Sequence, residues 1–415
     1  MTQHLSTIDD PRRARAALSR LIEPGDLTGA ALVQVLGPVA ALRLVAREHP
    51  AVPASVQQDV ADLLGAAAAT RRELHVAAGL ERWRPRLADA VPERDLATIE
   101  RLGGGLLTPE DAEWPRQLEA LGPGAPLCLW WRGQESAAAG LGAAADRLVS
   151  FVGSRDATEY GVRAAHELVA PLVGRGLVIV SGGAYGIDAA AHRAALATQQ
   201  GSVGPATIAV MAGGVDRFYP AGNEDLLRAV ASQGVVLAEV PPGASPTRWR
   251  FLLRNRLIAA LCRVTVVVEA RWRSGALTTA RRAAEIGRDV GAVPGSIFSA
   301  NSAGCHRLLS EGCAVAVTRP EDVLELTGSG VPAGTRGAEA DGTDPTASDP
   351  GRRPHDGLDV QDLLLYDALP ARGRTTPDKL CSVAGLGVGA VLGGLSRLRA
   401  RGLAVEEAGG WRRSG

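Results

Sequence analysis

Lysine is almost absent from this chain: of its 45 basic residues, all but Lys379 are arginine. A Walker A loop places a lysine after its glycines to hold nucleotide phosphates. No glycine turn here has one, so P-loop ATPase chemistry is excluded. Long apolar runs are missing too, and the opening MTQHLSTIDDPRRARAAL lacks the apolar core of a secretory signal. The expected location is therefore cytoplasmic, with no membrane partner. Cys128, Cys262, Cys305, Cys313 and Cys381 form no CxxC pair and have no histidine partner at ligand spacing, so neither a zinc site nor a disulfide framework is expected. Excess charge of one sign is also lacking, with 45 acidic against 45 basic residues. Net charge points to no partner; the placement of charge says more.

What is present is a soluble globular composition, 46% hydrophobic and 22% charged, on 415 residues. That length calls for two or three domains. The chain is organised around residues 147–192. Two short apolar runs, Leu148–Val152 and Leu177–Val180, each end in glycine, at Gly153 and at Gly182-Gly183. A helix-period stretch follows each of them. Strand, glycine turn and helix, repeated, describe a Rossmann-like, doubly wound, mostly parallel α/β sheet. Its glycine turns lie at the carboxyl ends of the strands, where helix N-termini favour an anion.

In chain order, residues 1–90 read as a helical domain. Arg15–Ile22 is amphipathic and ends at Glu23-Pro-Gly-Asp26, and Leu32–Val45 carries a Leu36-Gly-Pro38 turn, the rhythm of SAM-like or helix-hairpin-helix modules. Simple packing is the plainer reading of such a module. Residues 91–324 form the core with an edge extension. A helix start at Glu110–Pro115 and a strand within Pro126–Gly133 are expected to dock on the sheet edge. Five more strands follow the opening two: Thr207–Met211, Val235–Val240, Val264–Glu269, Asp289–Val293 and Cys313–Val317. Residues 325–357 are poor in large apolar side chains and read as a disordered linker. Residues 358–415 read as a winged-helix module: Val360–Leu369, Pro377–Ala384 and Val388–Ala400, then a hairpin around Gly409-Gly410. Its third helix offers Arg397, Arg399 and Arg401, which suit DNA and protein equally.

Three ligands compete for the glycine face. A nicotinamide dinucleotide would need an acid at the end of the next strand, but Thr207–Met211 runs into Ala212-Gly213-Gly214 and Asp216 lies well into the loop. A nucleotide-cleaving enzyme could assemble an acid or base from Asp188, His192, Glu239 and Glu269. Asp188 and His192 share a helix face, yet a carboxylate in a first helical turn serves the helix end, and His192 can hydrogen-bond it. A nucleic-acid strand is the third. Ser245–Arg263 holds Arg248, Arg250, Arg254, Arg256 and Arg263 and no acid, with Trp249 and Phe251 interleaved. Arginines for phosphates beside an aromatic for a base are the parts of a single-strand groove.

These residues also carry a resemblance. Gly153-Ser-Arg155 through Tyr160-Gly161, Ser181-Gly-Gly-Ala-Tyr-Gly-Ile-Asp-Ala-Ala-Ala-His192, Phe251-Leu-Leu-Arg-Asn-Arg256, Glu269 to Ser274-Gly275 with Thr278-Thr-Ala280, and Val293-Pro-Gly295 with Gly304-Cys305 occur in order. Together they resemble the DNA-processing protein A (DprA, Smf) family over about residues 105–317, in an arginine-rich form similar to actinobacterial members. The resemblance implies a single-stranded-DNA-binding recombination mediator of natural transformation. It implies no catalytic residue and no cofactor, a homodimer, and RecA recombinase and single-strand-binding protein as partners. It assigns Arg155 and Arg248 to the DNA backbone and Phe251 to a base, and matches Arg254-Asn255-Arg256 to the family's RNR run. Gly182, Gly183 and Gly275 are assigned to the pocket lining, and Gly153 and Ser154 beside Arg155, with Ser274 beside Gly275, join the expected single-strand-binding set. Tyr185 and His306 depart from the family's commoner arginine and asparagine. The rival reading is a nucleotide phosphoribohydrolase acting on nucleoside monophosphates. Its catalytic glutamate has no counterpart in Arg273–Ala280, where none occurs before Glu285.

Overall fold

The computed structural model describes residues 3–47, 51–65, 74–198, 205, 207–328, 358–370, 373–407 and 410–414. The chain divides into two compact units, Met1–Ala333 and Gly334–Gly415.

The first unit is built on a nine-stranded sheet. Its strands are β1 (Gly104–Leu107), β2 (Leu129–Gly133), β3 (Leu148–Val152), β4 (Val178–Ser181), β5 (Thr207–Met211), β6 (Val235–Ala238), β7 (Val264–Val267), β8 (Asp289–Ala292) and β9 (Val315–Ala316). They lie in the order β1-β2-β6-β5-β4-β3-β7-β8-β9. From β6 to β9 all neighbours are parallel; β2 is antiparallel to both β6 and β1. The expected doubly wound sheet is therefore present, with its strands at the expected places. The antiparallel extension is longer than expected: β2 is second from the edge, and β1, hidden in a Gly103-Gly-Gly-Leu-Leu107 run, covers it. Gly104 permits that pairing, because a Cβ there would strike the Trp131 carbonyl.

Strand residues alternate between two buried layers, as a sheet covered on both faces requires. Leu148 and Val152 pack with the Arg248–Leu261 and Gly275–Glu285 helices. Val149 and Phe151 pack with Glu159–Gly174, Ile187–Thr198 and Pro320–Thr327. That last helix runs to Thr327 and occupies residues expected to begin the linker; 329–357 lie outside the described residues.

The N-terminal helices include Pro11–Leu21, Leu27–Leu36 and Pro38–Ala46, the last two joined through Gly37 at φ 75. They have their own apolar core, yet belong to the same compact unit as the sheet. Trp130 on β2 is fully buried and donates its Nε1–H to Ser19 Oγ at 3.2 Å. Arg20 donates to Asp95 at 2.7 Å and to the Pro242 carbonyl at 2.6 Å, and Arg250 donates to Glu23 at 2.8 Å. The stretch expected to start a helix at Glu110–Pro115 is a turn, followed by a 3-10 helix over Arg116–Gly124.

The second unit holds helices Val360–Ala368, Pro377–Ala384 and Val388–Ala400 and an antiparallel pair, β10 (Ala404–Glu407) and β11 (Gly410–Arg413). Its small core centres on Leu365, Leu380, Leu395 and Leu398. No single helix among the described residues of the chain is long and apolar enough to cross a membrane.

Candidate functional site

From β3 the chain winds outward through β4, β5 and β6, then the Arg248–Leu261 helix crosses back to β7 and winding continues the other way. The carboxyl ends of β3 and β7 thus flank the topological switch point, where open α/β sheets bind ligands. A cleft of about 280 Å³ opens there. One wall is the loop after β3, with Gly153, Ser154 and Arg155, and the opposite wall is Arg271, Arg273, Ser274 and Gly275 after β7. Phe251, Arg254 and Asn255 of the crossover helix close it. Two helix starts are fixed by their caps. Thr247 Oγ1 accepts from the Arg250 N–H at 3.2 Å, and Ser274 Oγ accepts from the Ala276 N–H at 3.3 Å. The second cap places a helix N-terminus, with its partial positive charge, on the cleft wall.

Phe251 is the centre of this arrangement. The Arg155 guanidinium lies 5.1 Å from its ring centroid and that of Arg254 5.9 Å. The Tyr219 ring lies 5.7 Å away, tilted by 51°. Arg155 is exposed and has no ion-pair partner among the described residues, and the same is true of Arg273. The acids nearest this opening are engaged elsewhere, Asp188 facing Arg254 and Asp156 pairing with Arg271, so two guanidiniums without an acid partner among the described residues face one cleft, a setting that favours an anionic ligand.

The structure brings together Gly153, Ser154, Arg155, Phe251, Arg254, Asn255, Ser274 and Gly275, and separates the rest of the expected set. Arg256 points away from the cleft. Its Nη2 donates to both Glu239 oxygens at 2.6 and 2.7 Å, and the two side chains are 9% and 12% exposed. The expectation that it grips a phosphate is corrected: two residues along a helix turn a side chain by about 200°. Arg254 does line the cleft but is buried, donating to the Gly182 carbonyl at 2.8 Å and to the Val210 carbonyl. Its charge is a fixed part of the cleft floor. Gly182 does not line the cleft; a Cβ there would collide with the Arg254 guanidinium. Gly183, at φ 69, abuts Leu227. Arg248 is the exposed first residue of the crossover helix, outside the cleft wall. Arg271 and Arg273 were missed as site residues, although two arginines on the loop leaving a central strand are a legible signal.

The titratable groups suspected of acid–base work are engaged in the interior. Asp188 accepts from the Gly182 N–H at 3.1 Å and the Ala184 N–H at 3.4 Å. Burial lifts its pKa above the usual carboxylate value, partly offset by the Arg254 charge. Glu269 accepts from Thr158 N–H at 2.9 Å and Thr158 Oγ1 at 2.5 Å, holding the start of the Glu159–Gly174 helix. His192 does not bond Asp188: its Nδ1 lies 2.7 Å from Thr207 Oγ1. Asp188 spends its acceptors on the glycine turn instead. Among the described residues no group of three metal-ligating side chains occurs.

His192 is wholly buried, and burial, with the Arg254 and Arg193 charges, pushes its pKa down from 6.5 to about 3. The unfolded chain binds this proton near 6.5 and the folded one only near 3, so the stability it contributes is present above 6.5 and lost as pH falls. Between pH 7.5 and pH 5 that loss is about 2 kcal/mol. Urea unfolding of wild type and His192→Gln at the two pH values checks this; equal pH dependence in both proteins would refute it.

Fold and site together define a doubly wound α/β protein with an arginine- and aromatic-lined crevice at its switch point. The family model for DNA recombination-mediator protein A matches residues 105–328, and the chain belongs to that family. A DNA processing protein DprA of Mycobacterium tuberculosis is 42% identical over 98% of this chain and 95% of its own length. The DprA of Streptococcus pneumoniae is 47% identical over 42% of this chain and 60% of its own. An X-ray structure of DprA from Streptococcus pneumoniae superposes with TM-score 0.56 at 31% identity, covering 75% of this chain and 95% of that one.

Proposed function

We propose that the cleft binds single-stranded DNA without cleaving it, as the step by which a DNA recombination mediator handles its substrate. One observation carries this: Arg155, exposed and unpaired among the described residues, lies against the half-buried Phe251 ring at the mouth of the switch-point cleft. A guanidinium for a phosphate beside a ring for a base is what a flexible strand requires. A catalytic reading lacks support, since Asp188, Glu239 and Glu269 are all committed to structural partners. We extend to this chain the family's cytoplasmic setting, its homodimer, and RecA and single-strand-binding protein as partners. Residues 358–415 fit a winged helix, with Arg397 held by Asp362 at 2.7 Å and Arg399 near Glu406 at 3.4 Å.

Anisotropy of labelled oligo-dT tests the reading. With Arg155, Arg248 and Arg273 as the phosphate contacts, log K should fall with log salt at a slope of about −2. Arg155→Ala should reduce the slope by about 0.7 without moving the melting temperature. Phe251→Ala should weaken binding by roughly 1–3 kcal/mol. A salt-independent signal, or base released from nucleoside monophosphates, would end the proposal. RecA added to the wild-type and Arg155→Ala complexes tests the partner.

A further inference from the structure

The chain has few aromatic residues, 4% of the total, and their distribution over the surface is uneven. Among the described residues the exposed rings are Tyr160, Tyr185, Tyr219, Trp249, Trp272 and Phe298. One follows each of β3, β4, β5, β6, β7 and β8 in turn, in the connecting loop or the first turn of the next helix. Because those strands are parallel, all six rings stand along one edge of the sheet. Elsewhere in the molecule every described aromatic is at least partly buried. Core packing does not explain such an arrangement, since Trp272 is 57% and Phe298 92% exposed and rings left in water gain nothing from burial.

Along that edge runs a series of contacts linked through chain neighbours. Tyr219 meets Phe251, and Phe251 meets Arg155. The next residue, Asp156, pairs with Arg271 at 2.7 Å, and Asn301 ties both together, accepting from Arg271 Nε and donating to the Asp156 carbonyl, each at 2.8 Å. Trp272 follows Arg271 of this brace, with the Arg307 guanidinium 4.9 Å from its ring centroid, and Arg273, without an ion-pair partner among the described residues, comes next in sequence. The brace also joins the loop after β7 to the loop that carries Phe298.

We infer that Trp272 and Phe298 form a second stacking platform for the same single strand. The strand then runs across the carboxyl edge from the Tyr219 loop, over Phe251, to the loop after β8. This rests on the single-strand reading of the cleft and extends it to a track with a length. From β5 to β8 is four strand spacings, about 19 Å, which takes about six nucleotides at the stacked rise of 3.4 Å. The arginines beside the rings favour a polyanion over a protein surface as the occupant.

The full chain and labelled dT12 provide the test. Trp272→Ala should weaken binding by about 5- to 150-fold, Phe298→Ala should act in the same direction, and Trp272→Phe should stay near wild type. None of the three should alter the salt slope or the melting temperature, because the rings are exposed and uncharged. If Phe251→Ala weakens dT12 binding while Trp272→Ala and Phe298→Ala bind as wild type does, the platform is refuted and the cleft reading stands. That outcome is also the one expected if the rings dock a protein. If the wild type ignores dT12, both readings fail together.

Discussion

Replacing Arg254 by alanine is expected to lower the unfolding free energy by about 3 kcal/mol and to abolish oligonucleotide binding with it. The guanidinium holds two buried carbonyls, Gly182 and Val210, and each buried acceptor left alone costs about 1–3 kcal/mol. It is also the positive charge facing buried Asp188, whose own burial already disfavours ionisation. Burial pulls the Arg254 pKa down to about 10, so the group stays charged at neutral pH. Loss of the floor releases the glycine turn after β4 and the helix that carries Phe251. Arg155→Ala, by contrast, should lose binding with no change in melting. Chemical denaturation and anisotropy on the two variants separate the roles. An Arg254→Ala protein that melts as wild type but binds about tenfold more weakly would make Arg254 a phosphate contact.

Arg256→Ala should be the most destabilising single change, by about 3–5 kcal/mol, because it strands a buried carboxylate. Burial raises the Glu239 pKa, and Arg256 is the group that opposes the rise. Two further Arg256 nitrogens, Nε and Nη1, are buried with no hydrogen-bond partner among the described residues, which adds to the desolvation cost of the pair. The double variant Glu239→Leu/Arg256→Met should recover most of the loss, since removing both charges also removes their desolvation cost. It should still bind oligo-dT within about twofold of wild type. A folded double variant with binding lost would return Arg256 to the DNA contacts.

The two arginines show where a motif stops being informative. Arg254-Asn-Arg256 reads as one basic run, and nothing in its composition distinguishes its members. The helix sends one guanidinium under the glycine turn and the other beneath the N-terminal helices, against Glu239 on the strand-end beside them. The acids facing the helix arginines lie on other elements: Glu239 is 17 residues before Arg256, Asp188 66 before Arg254, and Glu23 227 before Arg250. No local window contains both partners. β1 is illegible for a related reason: its glycines carry no strand signal, and the close approach of Trp131 that leaves no room for a Cβ comes from another strand.

Periodicity and punctuation are local properties, and they determined much on their own. Apolar runs of strand length ending in glycine dictated a parallel doubly wound sheet and put its ligand face at the carboxyl ends. Residue chemistry named Phe251 and Arg155 and excluded a lysine-dependent nucleotide site. Only the tertiary structure decided which charges are free. A guanidinium's availability depends on the solvent and the acids around it in space; burial silenced Arg256 and fixed Arg254, while Arg155 and Arg273 are exposed with no acid partner among the described residues. The row of rings along the sheet edge emerged the same way, because residues from Tyr160 to Phe298 become neighbours only when six parallel strands are laid side by side.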